Sequence, residues 1–336
     1  MLTRNFRVAS AVAVAIMCLA AGCGTGGGSA GNAATTALEE PNITIAAVPS
    51  VDLAGFYIAE DDGFFKQQGL NVKLVPVASS KAIIAGQLAG KIDICAGAYM
   101  PYISAEAAGA KFRILAEGSV MAPGTRVLLV PSNSHLTSID QLVGKKIGLN
   151  ASGSIGALLI SALLEENGIS PHSVTFITDP TGFPTIAKEL HEGAWQAAFF
   201  AEPYATKAQE QYGDTVLADL DQGAAASLPI SGYMVTQAWA QRNPRTAAAF
   251  TRAIEAAQTL ADTDQTAVRT AMSESDNLSG LVTDVMAVPN FPTGKVDVTR
   301  IQDEALAMVQ FGMIKSQYDA EIKSGSVVGS MVDSGL

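Results

Sequence analysis

Between Asn42 and Leu220 the chain alternates short apolar runs with amphipathic stretches, and this alternation restricts its fold more than any other feature. "NITIAAVP", "NVKLVPV", "KIDICAG" and "KFRILAEG" read as strands, and the segments between them read as helices with Ser starts and Gly stops. Strands spaced by helices of roughly 8–15 residues predict βαβ units and a mostly parallel sheet. The pattern then restarts: "TRVLLVP", "KKIGLN", "SVTFITD", "WQAAFFAE" and "TVLADL" read as strands, with a long helix over 155–167. After "SGYMVTQ" the chain turns almost wholly helical. Asn243-Pro244 reads as an N-cap and first-turn pair, with Ala247, Phe250, Ile254, Ala257 and Ala261 on one face, and a further helix is expected near 296–315. These late helices have no sheet of their own and are expected to pack on the first unit. The fold class is therefore α/β with two lobes. The chain crosses between them near 122–130 and 228–236, and a ligand cleft lies beyond the carboxyl ends of the strands.

The loops at those strand ends carry the candidate site. "KKIGLNASGSIGALLI" has the layout of a phosphate cradle, a strand running through a Gly/Ser loop into a helix. A P-loop would require Lys and then Ser or Thr where this chain has Ser154 and Ile155, so the phosphate cation and the magnesium ligand are both missing. What remains is a helix start with free N–H groups and two hydroxyls, Ser152 and Ser154, which suits an acceptor-rich group or simply a helix cap. After the first strand, "PSVDLAG" offers Ser50 and Asp52, with Asp52 expected as an N-cap. "AGAYMPY" offers Tyr99 and Tyr102, as pocket or as core. "AEPYAT" sets Glu202 and Tyr204 after the very apolar "AAFF", where a carboxylate is costly unless paired or bound. Tyr233 belongs to the second crossing, and Lys81 and Arg126 are the nearby cations. His135, His172 and His191 are not spaced for metal, and no Cys–His pair or serine elbow stands out. No metal, no cofactor and no catalysis are expected.

Composition narrows the class. Hydrophobic residues make up 48% and charged residues 16%, enough for a sizeable core. A formal net charge of −11 argues against a nucleic-acid surface. At the N-terminus, Arg4 and Arg7 precede an apolar run and "LAAGC", which ends at Cys23. That pattern predicts a secretory signal over 1–22. A Cys directly after the small residues makes it similar to a bacterial lipoprotein signal with Cys23 acylated, although Ala20 stands where a bulky aliphatic residue is usual. Residues 23–41 are Gly-rich and small, as in a flexible tether. Cys95 lies in an apolar run and reads as a buried hydrophobe. The expected organisation is lobe 1 from 42–128 and 232–325, lobe 2 from 129–231, and a C-terminal tail over 326–336.

Taken in order, "ITIAAVPSVDLAGFYIAEDDGFFKQQGLNVKLVP", "SSKAIIAGQLAGKIDICAG", "SIDQLVGKKIGLNASGS", "QAAFFAEPYATKAQEQYGDTVLADL" and "YMVTQAWAQRNP" resemble the solute-binding proteins of ABC importers. The branch is the one for nitrate, sulfonates, taurine and thiamine-pyrimidine precursors. The resemblance covers about 42–265 and is specific as a set. It implies a type II periplasmic-binding-protein fold that closes on a solute and docks on a membrane permease. It places ligand contacts on Ser50, Asp52, Leu53 and Ala54, on Gly97, Ala98 and Tyr99, on Ser152, Gly153 and Ser154, and on Glu202 and Tyr204. Closure would bring Ser152 and Tyr99 together across the cleft. The implied protein is a monomeric, lipid-anchored, extracytoplasmic transport component. A biosynthetic enzyme on the same fold and a lipid-tethered solute sensor are the alternatives. The donor set suits a neutral or amine-bearing heterocycle or a zwitterion at least as well as a bare anion.

Overall fold

In a computed structural model of the chain, residues 37–77, 80–276 and 278–332 are described, apart from the side chains of Lys81, Ser275 and Asp276. The signal segment, Cys23 and all of the tether before Ala37 lie outside them, as do the last four residues of the tail. Among the described residues, ten strands sort into two five-stranded sheets. Sheet A holds β1 (Asn42–Ala47), β2 (Asn71–Pro76), β3 (Ile94–Gly97), β4 (Phe112–Val120) and β10 (Pro229–Thr236). Sheet B holds β5 (Arg126–Val130), β6 (Lys146–Leu149), β7 (Thr175–Thr178), β8 (Ala197–Ala201) and β9 (Thr215–Asp219).

The strand orders are β2-β1-β3-β10-β4 and β7-β6-β8-β5-β9. Each sheet is parallel except for one strand. β10 runs antiparallel between β3 and β4, and β5 runs antiparallel between β8 and β9. These are the strands that enter each sheet after a crossing, so both crossings deliver the chain into a sheet interior. "PISGYMVT" is accordingly buried along nearly its whole length, as a strand covered on both faces must be.

The long helix Pro244–Thr263 covers one face of sheet A, and all five of its expected core residues are buried. Phe250 stacks on Phe65 at 5.6 Å and meets the Tyr233 ring edge-on at 5.4 Å. Burying a side chain of that size contributes about 1.5–3 kcal/mol. Asn243 occupies the N-cap position but makes no side-chain cap bond. The Glu39 carboxylate caps this helix instead, accepting from Arg245 N at 3.2 Å and from Thr246 N at 3.0 Å. Glu40 accepts from Trp239 Nε1 and Asn243 Nδ2. The end of the expected tether is therefore fastened to the body, because the Glu39 carboxylate finds a helix start with unsatisfied N–H groups and the Glu40 carboxylate finds two side-chain donors.

Candidate functional site

The carboxyl ends of both sheets face a cleft of about 590 Å³. Sheet A contributes Val48, Ser50, Asp52 and Leu53 after β1, and Gly97 and Ala98 after β3. Sheet B contributes the run Asn150–Ile155 after β6, together with Phe199 and Ala201 of β8. Ile230 and Ser231 of β10 lie at the crossing, and Met313 reaches in from the loop after the helix Val298–Gln310. In the loop after β6, Gly153 takes φ +63°, a left-handed turn that a side chain would strain. That turn delivers the chain to Ser154, which sits extended (φ −85°, ψ 166°) at the start of helix Ile155–Glu166.

Eight of the thirteen residues singled out from sequence line this cleft: Ser50, Asp52, Leu53, Gly97, Ala98, Ser152, Gly153 and Ser154. Ala54, Tyr99, Glu202, Tyr204 and Tyr233 do not, and each has a physical reason. Ala54 opens helix Ala54–Asp61 and faces the core. Tyr99 is fully buried under β10, where a Cβ on Gly232 would lie 2.2 Å from its hydroxyl; it occupies the space that glycine leaves. Tyr102 is likewise buried and donates to Gln87. Glu202 is buried and satisfied by its own helix, accepting from Thr206 N at 3.1 Å and Thr206 Oγ1 at 2.7 Å. Burial pushes its carboxyl above the usual range while these donors pull it back. Tyr204 stacks on Phe183 at 5.2 Å and so backs a cleft residue without reaching the cleft. Tyr233 is buried against Phe250.

Asp52 is not the expected N-cap. Its carboxylate accepts from Arg126 Nη2 at 2.6 and 2.7 Å, from Ser119 Oγ at 2.7 Å and from Ser50 Oγ at 2.9 Å. Arg126 opens β5, so this ion pair joins the two halves at the cleft floor. Val51 N donating to Glu202 O at 3.2 Å is a second tie between them. Arg126 also donates to Thr125 Oγ1 at 2.8 Å. Among the described residues lining the cleft, Asp52 and Arg126 carry the formal charges, and they cancel.

Three buried polar atoms of lining residues have no partner among the protein atoms: Arg126 Nε, Asn150 Oδ1 and Ser154 Oγ. Buried polar groups are normally paired, so unpaired ones along a cleft mark where a ligand can bond. The remaining surface is largely apolar, with Ile84, Met100, Phe183, Phe199 and Met313 prominent. Of these, Met100 follows directly on the expected Gly97–Tyr99 loop and could have been reached by continuing one residue. Asn150 adjoins the expected Ser152–Ser154 loop. Phe183 and Met313 carry no sequence signal that separates them from core.

Two lobes, each a five-stranded α/β sheet entered by one antiparallel strand, with the cleft between them, make this a type II periplasmic-binding-protein fold. The alkanesulfonate-binding protein SsuA from Xanthomonas axonopodis pv. citri bound to MOPS superposes with a TM-score of 0.72 at 16% identity, covering 85% of this chain and 99% of that one. Residues 50–267 match the family described as NMT1/THI5 like, and the chain belongs to that family. The Bacillus subtilis (strain 168) protein YtlA is 25% identical over 209 residues, 62% of each chain. The 4-amino-5-hydroxymethyl-2-methylpyrimidine phosphate synthase THI13 of Saccharomyces cerevisiae is 26% identical over 157 residues, 46% of this chain and 44% of that protein. The chain thus spans less than two thirds of the length of these curated relatives.

Proposed function

We propose that this chain is an extracytoplasmic solute-binding protein, tethered through lipid at Cys23, that closes on a small organic solute and hands it to an ABC permease. The observation that carries this reading is the cleft itself, shared by both lobes and floored by an ion pair that joins them. Its titratable side chains among the described residues, Asp52 and Arg126, are bound to each other. Cys95 is fully buried, and burial pushes its thiol up to about 12, which makes it inert.

The cleft also favours one kind of solute. Its lining is apolar with no net formal charge, and its unpaired atoms comprise a donor, an acceptor and a hydroxyl. An uncharged or zwitterionic organic molecule fits this set, with an apolar body on Phe183 and Phe199 and a polar end toward Asn150, Ser154 and Arg126. A pyrimidine-like heterocycle has that form. A bare oxyanion such as nitrate does not.

A thermal-shift and calorimetry panel of pyrimidines, taurine, alkanesulfonates and nitrate tests the reading. A ligand at 100 times its Kd adds about 2.7 kcal/mol of stability. Ser152→Trp, at an exposed lining position, should fill the cleft and abolish that gain without touching the core. A gain that survives Ser152→Trp would place the solute elsewhere. Steady turnover of the bound compound by the purified chain would replace the binding reading with the enzyme reading that the yeast relative's name raises.

A further inference from the structure

The pairing at the cleft floor has an unusual form. Arg126 is almost wholly buried, with a side-chain exposure of 1%, whereas its partner Asp52 is 11% exposed. Both Asp52 oxygens take Nη2, and both also take a serine hydroxyl, from Ser50 and Ser119. A guanidinium and two hydroxyls converging on one carboxylate form the donor set of an anion receptor. Ser119 is in turn within 3.0 Å of Ser231 Oγ, and Ser231 lines the cleft. The group that fills this receptor is a side chain of the chain's own first-strand loop.

Resting on the solute-binding reading, we propose that Asp52 is the specificity-determining residue of the cleft: its carboxylate permanently occupies the anion receptor formed by Arg126, Ser50 and Ser119, and thereby excludes sulfonates, carboxylates and other oxyanions from the floor. A free anion entering beside Asp52 would meet a like charge and an Arg whose paired N–H group is already committed. Electrostatic exclusion of this kind discriminates by a repulsive element built into the site. Without the Asp52 carboxylate, the same donors would face the cleft and accept an external anion. The two states differ by one formal charge in a partly desolvated place, where charge–charge effects exceed those in bulk water.

The experiment uses methanesulfonate and acetate as probes on the full mature chain, in wild type, Asp52→Ala, Asp52→Asn and the double variant Asp52→Ala/Arg126→Met. Isothermal titration and thermal shift at constant ionic strength are read together. Wild type and the double variant should show no saturable response. Asp52→Ala should bind methanesulfonate at least tenfold more tightly than wild type, with a saturable rise in melting temperature. Asp52→Asn keeps the shape and loses the charge, and should show a smaller gain in the same direction. If Asp52→Ala fails to fold alone, refolding with and without methanesulfonate decides the matter: recovery that depends on the anion supports the proposal, and equal failure overturns it. A folded Asp52→Ala with no anion response overturns it, as does tight methanesulfonate binding by wild type. These results are separable from the solute-binding reading, since a neutral solute can bind wild type whichever way the anion experiment falls.

Discussion

Ser154 separates a helix cap from a ligand contact by numbers. At the start of helix Ile155–Glu166 it has the extended backbone of an N-cap, but its hydroxyl makes no cap bond and is buried without a protein partner. A working Ser cap is worth about 1 kcal/mol to the free protein. Here Ser154→Ala removes no intramolecular bond, so the ligand-free chain should change by less than about 0.5 kcal/mol. If the hydroxyl bonds the solute, its loss should weaken binding by about 0.5–1.5 kcal/mol, roughly two- to twelvefold in Kd. Urea unfolding of ligand-free wild type and variant measures the first quantity. Calorimetry with the solute found by the panel measures the second. A variant that loses 1 kcal/mol or more without ligand and binds unchanged would show that Ser154 is a cap in solution. The assignment of the Ser152–Ser154 loop to the site would then fall.

Three further outcomes follow from other parts of the molecule. Gly232→Ala would drive a methyl to within 2.2 Å of the Tyr99 hydroxyl and 2.5 Å of its ring; it should cost about 1–3 kcal/mol in chemical denaturation, partly recovered by adding Tyr99→Phe. Burial raises the Asp221 carboxyl to about 6 against an ordinary 3.8, with Arg126 and the Thr125 hydroxyl opposing the rise. A raised carboxyl gives stability that is present below pH 4 and lost as pH climbs through 6, so Asp221→Asn should flatten the stability profile between those values and an unchanged slope would contradict the shift. Glu202→Ala strips the cap from helix Tyr204–Tyr212 and should cost about 0.5–2 kcal/mol in urea, with solute affinity little changed because Glu202 does not line the cleft.

The strand-end loops were legible because apolar runs and their Gly or Ser stops are local signals. Ser50, Gly97, Ala98 and Ser152–Ser154 are backbone turns or small residues, and they line the cleft wherever their side chains point. The tyrosines were not legible, because side-chain direction at a strand end depends on a register that sequence does not state. One step past Ala98 the chain turns, and Tyr99 goes under β10 instead of into the cleft. The partner of Asp52 lies 74 residues away, and that of Glu39 lies 207 away. Local propensity makes Asp52 a cap and Glu39 part of a tether, and tertiary contacts overrule both. In the sequence β10 reads only as a crossing, because a strand buried on both faces shows no alternation to mark it.

The placement of β10 also sets an order of events for a chain that emerges N-terminus first. Every strand of sheet B lies between Arg126 and Asp219, so that sheet can complete from contiguous chain. Sheet A begins 84 residues earlier, at Asn42 against Arg126, yet β4 has no partner in it except β10, which starts at Pro229. The half that starts first therefore finishes last. Until residue 236 has emerged, "FRILAEGSV" is a nine-residue strand with both edges open. Open edges of that kind pair with whatever is near. A ribosome stall or a truncation after Asp219 and before Pro229 would leave a finished sheet B carried by an unfinished sheet A, and its exposed strand is the segment a holding chaperone would need to cover.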